Sequence, residues 1–173
     1  IRGVTVLSDG SVIASDSGNN VLWKFAAAGG APSGYAGTRG AGGFADGAPG
    51  EARFNQPHQI AAAKNNSVVV ADRMNHRVRL VDAAGKEPPR QISTAAAQRA
   101  FFGAPGEVIF ESGRRILRVN YDRAGEDQIG ERIANGQAII QIMNVSPDGR
   151  WAMVGVGNRN SRGTGFTLMQ ALP

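Results

Sequence analysis

The sequence predicts an all-β fold: a β-propeller of four-stranded antiparallel blades, with about four blades present, complete as four or part of a larger, six-bladed ring. Three observations predict it. Gly3–Phe25 and Gln59–Val81 repeat one pattern without a gap, with Ser11/Ser67, Val12/Val68, Asp16/Asp72 and Asn19/Asn75 in register. The chain has 24 glycines, and they fall at the ends of apolar runs, as in turns rather than in disordered sequence. A strand–turn–strand rhythm of roughly forty residues per unit continues through the second half. A repeated unit of this kind cannot bury its apolar face alone, so the units must stack.

Taken in order, Val4–Leu7, Ser11–Ser15 and Val21–Phe25 read as strands. They are separated by the turns Ser8-Asp9-Gly10 and Asp16-Ser17-Gly18-Asn19-Asn20. Asp, Asn, Ser and Gly dominate there because they tolerate left-handed backbone or bond their own main chain. The second unit repeats this with Ile60–Ala63, Val68–Ala71 and Arg77–Val81. Val, Ile and aromatic side chains fill the runs between turns, as strands prefer. In the second half, Glu107–Glu111, Arg115–Tyr121 and Gln128–Ile133 are read as the first three strands of a third unit. Ile140–Val145, Arg150–Val156 and Gly165–Leu172 form a fourth, with Ser146-Pro-Asp-Gly149 a strong turn between the first two. Ala95–Phe102 is the only run with any helical character, and it predicts a short helix at most. Blade boundaries fall near 1–36, 37–94, 95–138 and 139–173. The fourth unit lacks an obvious outer strand, which predicts a fragment, or a second chain that completes the ring.

Composition narrows the remaining classes. No cysteine is present, which removes disulfides and thiolate metal sites and leaves the compartment open. No apolar run approaches the roughly 18–20 residues that span a bilayer as a helix. The chain opens on Ile1, close to the first strand, and reads as a processed or truncated product. The net charge of +5 rests on arginine, since Lys24, Lys64 and Lys86 are the only lysines. Such a surplus fits either a solvated surface or a face that takes anions.

The segment Tyr35–Leu80 resembles the NHL repeat family. Its lead-in, Gly43-Phe-Ala-Asp-Gly47 through Ala52-Arg-Phe-Asn-Gln-Pro57, and its ending, Val70-Ala-Asp-Arg-Met-Asn-His-Arg-Val-Arg79, match the family's pattern at fixed spacing. The first unit agrees more loosely, through Asp16, Asn19 and Asn20, and the likeness fades beyond about Pro88. The resemblance implies a propeller used mostly as a binding platform, and it carries no reaction with it.

Within a blade, the turn between the second and third strands shares a face with the linker joining one blade to the next. The linker Thr38–Pro57 should therefore share a face with the turns at Asp16, Asp72, Asp122 and Asn158. That face would carry Arg39, Arg53, Arg73, Asn75, His76, Arg123, Arg159 and Arg162, the candidate partner-binding residues. Asp16 and Asp72 are expected to accept bonds within their turns. Phe44, Phe54, Trp23 and Trp151 are expected to pack between blades.

The reading is a non-catalytic platform for a protein or peptide partner. One alternative is RNA or polyanion binding by the arginine-bearing face, although stacking aromatics are few on these loops. The other is a metal-dependent propeller enzyme, lyase- or lactonase-like by resemblance, with zinc or calcium in the channel. No catalytic residue is assigned and no cofactor is expected. His58 and His76 are the only histidines, so a zinc site would need a carboxylate such as Asp72.

Overall fold

The computed structural model describes residues 1–63, 65–82, 88–97, 99–112, 115–120, 126–130, 138–146, 148–157 and 166–172. The chain divides into two compact units, Ile1–Ala100 and Phe101–Pro173. Among the described residues it is all-β apart from one 3-10 turn at Arg73–Asn75, and its sheets are antiparallel propeller blades.

The first unit holds two four-stranded blades. Blade 1 runs in chain order through β1 (Gly3–Val6), β2 (Val12–Asp16), β3 (Val21–Phe25) and β4 (Ser33–Ala36). Blade 2 runs through β5 (Pro57–Ala62), β6 (Val68–Asp72), β7 (Arg77–Val81) and β8 (Arg90–Ser93). Strand β6, Val-Val-Val-Ala-Asp, is buried along its whole length, as expected of a strand covered on both faces. Leu7, Ile13, Leu22, Phe54, Ile60, Val68, Val70 and Val81 make one core that both blades share. Polar bonds fasten the same contact. The Ala62 N–H donates to Thr5 Oγ1 at 3.0 Å, Ser15 Oγ donates to the His58 carbonyl at 2.5 Å, and Asn66 binds both the Ser8 N–H and its hydroxyl. Pro57 opens β5, as its fixed φ allows at a strand start.

The second unit holds β9 (Ala100–Phe102, its first residue on the boundary), β10 (Glu107–Ser112), β11 (Arg115–Asn120) and β12 (Glu126–Gly130) in one four-stranded sheet. The remaining strands, β13 (Ala138–Val145), β14 (Trp151–Gly157) and β15 (Phe166–Ala171), form a three-stranded sheet. Ile109, Ile116, Ile142, Ala152, Val154 and Leu172 form one core cluster of this unit. The Ser146–Gly149 turn forms as expected, with the Gly149 N–H on the Ser146 carbonyl and Asp148 accepting from Ser146 Oγ and the Arg150 N–H. Only glycine fits at 149: φ is 69°, and a Cβ there would lie 2.7 Å from the Ala104 nitrogen.

Three expectations are corrected. The run predicted as a short helix at Ala95–Phe102 ends instead in β9. Too few residues separate Ser93 from the turn at Gly103 to repay helix nucleation, and Phe101-Phe102 prefers a strand. Because β9 comes first, Glu107–Ser112 is the second strand of its sheet rather than the first. Finally, Trp151 is 46% exposed rather than packed between blades.

Candidate functional site

The loop face of the first unit is built by the linker 37–57 folding back over the turns that follow β2 and β6. At its start, Gly37 sits at φ 96° and its N–H reaches the Pro49 carbonyl at 2.7 Å. A Cβ on Gly37 would lie 2.9 Å from both the Asn20 carbonyl oxygen and a Phe54 ring carbon, so the chain closes here only as glycine. Gly40 donates to the Asn19 carbonyl, and Asn20, itself left-handed at φ 59°, accepts the Gln56 N–H at 2.8 Å. Ser17 Oγ donates to the Pro57 carbonyl. On the other blade, Asn75 Nδ2 donates to the Gly43 carbonyl at 2.7 Å, and the Met74 N–H to the Asn55 carbonyl at 3.0 Å. One linker thus ties the turns of two blades into a single surface.

Arg79 anchors that surface from below. It lies on β7 and is fully buried. Its guanidinium donates to the carbonyls of Arg53 (2.7 Å), Ala45 (3.0 Å) and Pro89 (3.1 Å) and to Asp46 Oδ1 (2.6 Å). It lies 3.6 Å from Asp72 Oδ2. The Phe54 and Phe44 ring centroids are 4.7 and 5.1 Å from its central carbon, and the Phe44 ring also lies 4.6 Å from that of Arg77. A buried cation is tolerable only when paired and hydrogen-bonded, and here the linker supplies most of the partners.

Asp72 is buried beside it. Its Oδ1 accepts the Asn55 N–H at 2.8 Å, and its Oδ2 accepts Asn75 Nδ2 at 2.8 Å. Burial pushes its carboxyl above the ordinary value, against the opposing pull of those donors and of Arg79. Both carboxylate oxygens thus accept hydrogen bonds inside the protein, with the Arg79 guanidinium alongside. His58, on β5, is partly buried; burial first, then the charge of Arg73, holds its imidazole below the ordinary 6.5. His76 is exposed at the end of the 3-10 turn, in a left-handed conformation at φ 51°. Among the described residues no three histidine or acidic side chains converge as metal ligands.

Of the residues expected on this face, Arg39, Arg53, Arg73, Asn75 and His76 all belong to the linker or the β6–β7 turn. Asn75 faces inward as a strut, whereas Arg39 and Arg53 are exposed and Arg73 is half-buried. Arg39 stacks over Trp23 at 5.9 Å, and Arg73 approaches Gln56 Oε1 at 3.5 Å. Arg123, Arg159 and Arg162 lie outside the described residues. Phe44, expected between blades, instead lies under two arginines and is 43% exposed; Phe54 is buried as expected. The strut that sequence reasoning missed is Arg79. Its signal was available: it aligns with Trp23, and it stands between Val78 and Leu80 in a strand buried on both faces.

Residues 54–79, from Phe54 of the linker to Arg79, match the NHL repeat family. No curated protein matches the sequence. Among solved structures, the chain is similar to the hydrazine synthase of Kuenenia stuttgartiensis, with a TM-score of 0.65 and 14% identity over 92% of this chain and 42% of that one. It is also similar to a streptogramin B lyase (TM-score 0.60, 15% identity, 96% of this chain and 54% of that one). A nidogen–laminin complex gives a TM-score of 0.60 at 15% identity, over 89% of this chain and 59% of that one. At such identities the likeness is one of fold. The chain spans between 42% and 59% of the length of these three.

Proposed function

We propose that this chain, which carries an NHL repeat within a β-propeller fold, is a non-catalytic platform that binds a protein or peptide partner on the linker and turn face of its first unit. The observation that carries this reading is the cross-bracing of linker 37–57 onto two blades, onto blade 2 by the buried Arg79 and onto blade 1 by Ser17, Asn19 and Asn20. A rigid loop surface loses little entropy on binding, and preorganisation of this kind is what recognition loops on a scaffold need. Met74, 45% exposed, adds an apolar contact among the arginines. The similar fold in a nidogen–laminin complex supports a protein partner. The similar fold in a streptogramin B lyase raises the enzyme alternative. Against it here stands the commitment of Asp72 to Asn55, Asn75 and Arg79.

Selection of displayed peptides on the folded chain, followed by calorimetric titration, tests the platform. A selected peptide should lose at least tenfold in affinity when Arg39, Arg53 and Arg73 are changed together to Ala, with the melting temperature nearly unchanged. Unchanged affinity in that variant would place the binding elsewhere and end the reading.

A second reading rests on a separate observation. In β1, Thr5 faces blade 2, and Val4 and Val6 on the opposite face are 54% and 61% exposed. Trp151 and Met153 alternate on β14 with the buried Ala152 and Val154, and are likewise exposed. Open apolar sheet faces favour a further blade, supplied by a second copy of this chain. Light scattering should give a dimer that Val6→Glu or Trp151→Glu converts to monomer; a monomer at all concentrations would end this reading.

A further inference from the structure

We infer that the segment this face takes is acidic: a peptide presenting two or three carboxylates around one apolar side chain. The inference rests on the platform reading above and names the chemistry of its partner.

The linker 37–57 and the stretch 72–79 together hold five arginines, at 39, 53, 73, 77 and 79, against the carboxylates of Asp46, Glu51 and Asp72. Arg79 pairs with two of those carboxylates, the buried Asp72 and Asp46, whose side chain stays half exposed. Five arginines against three carboxylates leave these two segments with a net charge of +2. Among the described residues, Arg39, Arg53 and Arg73 form no ion pair. The His58 imidazole is held below its ordinary value first by burial and then by the charges of Arg73, Arg2 and Arg99.

The arginines are also prepared for planar anions. Arg39 lies over Trp23, and Arg73 leans on Gln56 and the Met74 sulfur. A guanidinium oriented by such contacts offers its donor fork to a carboxylate with less ordering left to do. Exposed Met74, directly beside Arg73 in the chain, supplies a pliable apolar surface for the side chain between the acids.

The aromatic rings separate a peptide from RNA. Single-stranded nucleic acid binds by stacking bases on open aromatic faces. Here Phe44 lies against Arg77 and Arg79, and Trp23 against Arg39. Those ring faces are already engaged by guanidinium groups, so what the surface offers outward is cation rather than π-platform. Glu51, exposed on the same linker, adds repulsion toward a continuous polyphosphate.

The test uses three probes against the intact chain: Gly-Asp-Glu-Leu-Glu-Asp-Gly, the same peptide with Asn and Gln for every acid, and a single-stranded RNA of mixed sequence. The acidic peptide should bind at least tenfold more tightly than its amide counterpart, and should weaken as salt rises. Arg53→Gln with Arg73→Gln should remove most of that difference, and Met74→Ser should weaken the acidic peptide several-fold. Equal binding of acidic and amide peptides would overturn the inference while leaving the platform reading standing. RNA binding more tightly than the acidic peptide would overturn it in favour of nucleic acid. Failure of the acidic peptide to bind at millimolar concentration would overturn it outright, and the platform would then stand or fall on the displayed-peptide selection.

Discussion

Asp16 and Asp72 hold the same place in consecutive blades, and the fold treats them in opposite ways. Asp16 accepts the Asn19 N–H and side-chain amide and the Trp23 indole N–H, and it remains partly open to solvent. Hydrogen bonding by Asn19 holds its carboxyl below the ordinary 3.8. Asp72 keeps the equivalent bond from Asn75, but Arg79 stands where Trp23 stands, and the linker's Asn55 N–H closes over it. Burial drives that carboxyl the other way. One turn motif therefore serves as a local cap in blade 1 and as the floor of a three-way junction in blade 2. The cause is the linker, which lays Ala45, Asp46 and Arg53 onto the guanidinium of Arg79.

The largest expected effect breaks that junction. Arg79→Met leaves Asp72 buried without its cation and should cost about 3–5 kcal/mol in denaturant unfolding. Gly37→Ala forces a Cβ against Asn20 and Phe54 at positive φ and should cost about 1–3 kcal/mol, loosening the linker from blade 1. The matching change in blade 1, Trp23→Phe, deletes one bond to Asp16 and should cost about 1 kcal/mol. If Trp23→Phe proved as costly as Arg79→Met, the two turns would be equivalent and the comparison would fail.

Acid titration sharpens the contrast through its sign. A carboxyl with a depressed folded pKa contributes stability present above its unfolded pKa and lost as pH falls through the folded one. The stability difference between wild type and Asp16→Asn should therefore narrow as pH falls through and below 3.8. Asp72 has a raised folded pKa, so the fold takes up a proton there more readily than the unfolded chain does. Its contribution is fully present below the unfolded pKa and lost as pH rises through the folded one. The difference between wild type and Asp72→Asn should accordingly widen on acidification. Urea midpoints measured between pH 6 and pH 3 would show both. The smallest effect belongs to the surface: Arg39→Ala and Arg53→Ala should each change stability by no more than about 0.5 kcal/mol.

How far the sequence disclosed this follows from the same two blades. Strands Val21–Phe25 and Arg77–Val81 are legible to the residue because Asp–Asn turns bracket apolar runs on both sides. The outer strands Ser33–Ala36 and Arg90–Ser93 carry no apolar alternation, and nothing in their residues marks them. Three-residue β9 is too short to show a period, and missing it moved the third blade by one strand. In the first unit, the face shared by linker 37–57 and the turns at Asp16 and Asp72 was legible from antiparallel order alone. Its keystone is marked only by the alignment of Arg79 with Trp23 between apolar neighbours, because an arginine in a strand otherwise reads as a solvated position until the linker that covers it is folded into place.

The most direct test of the account is amide hydrogen exchange in wild type and Arg79→Met. If the buried arginine holds the linker to blade 2, the Asn55, Met74 and Gly43 amides should exchange at least tenfold faster in the variant, while the Asn19 amide, bonded to Asp16, keeps its protection. Unchanged exchange at Asn55 and Met74, or equal acceleration at Asn19, would contradict it.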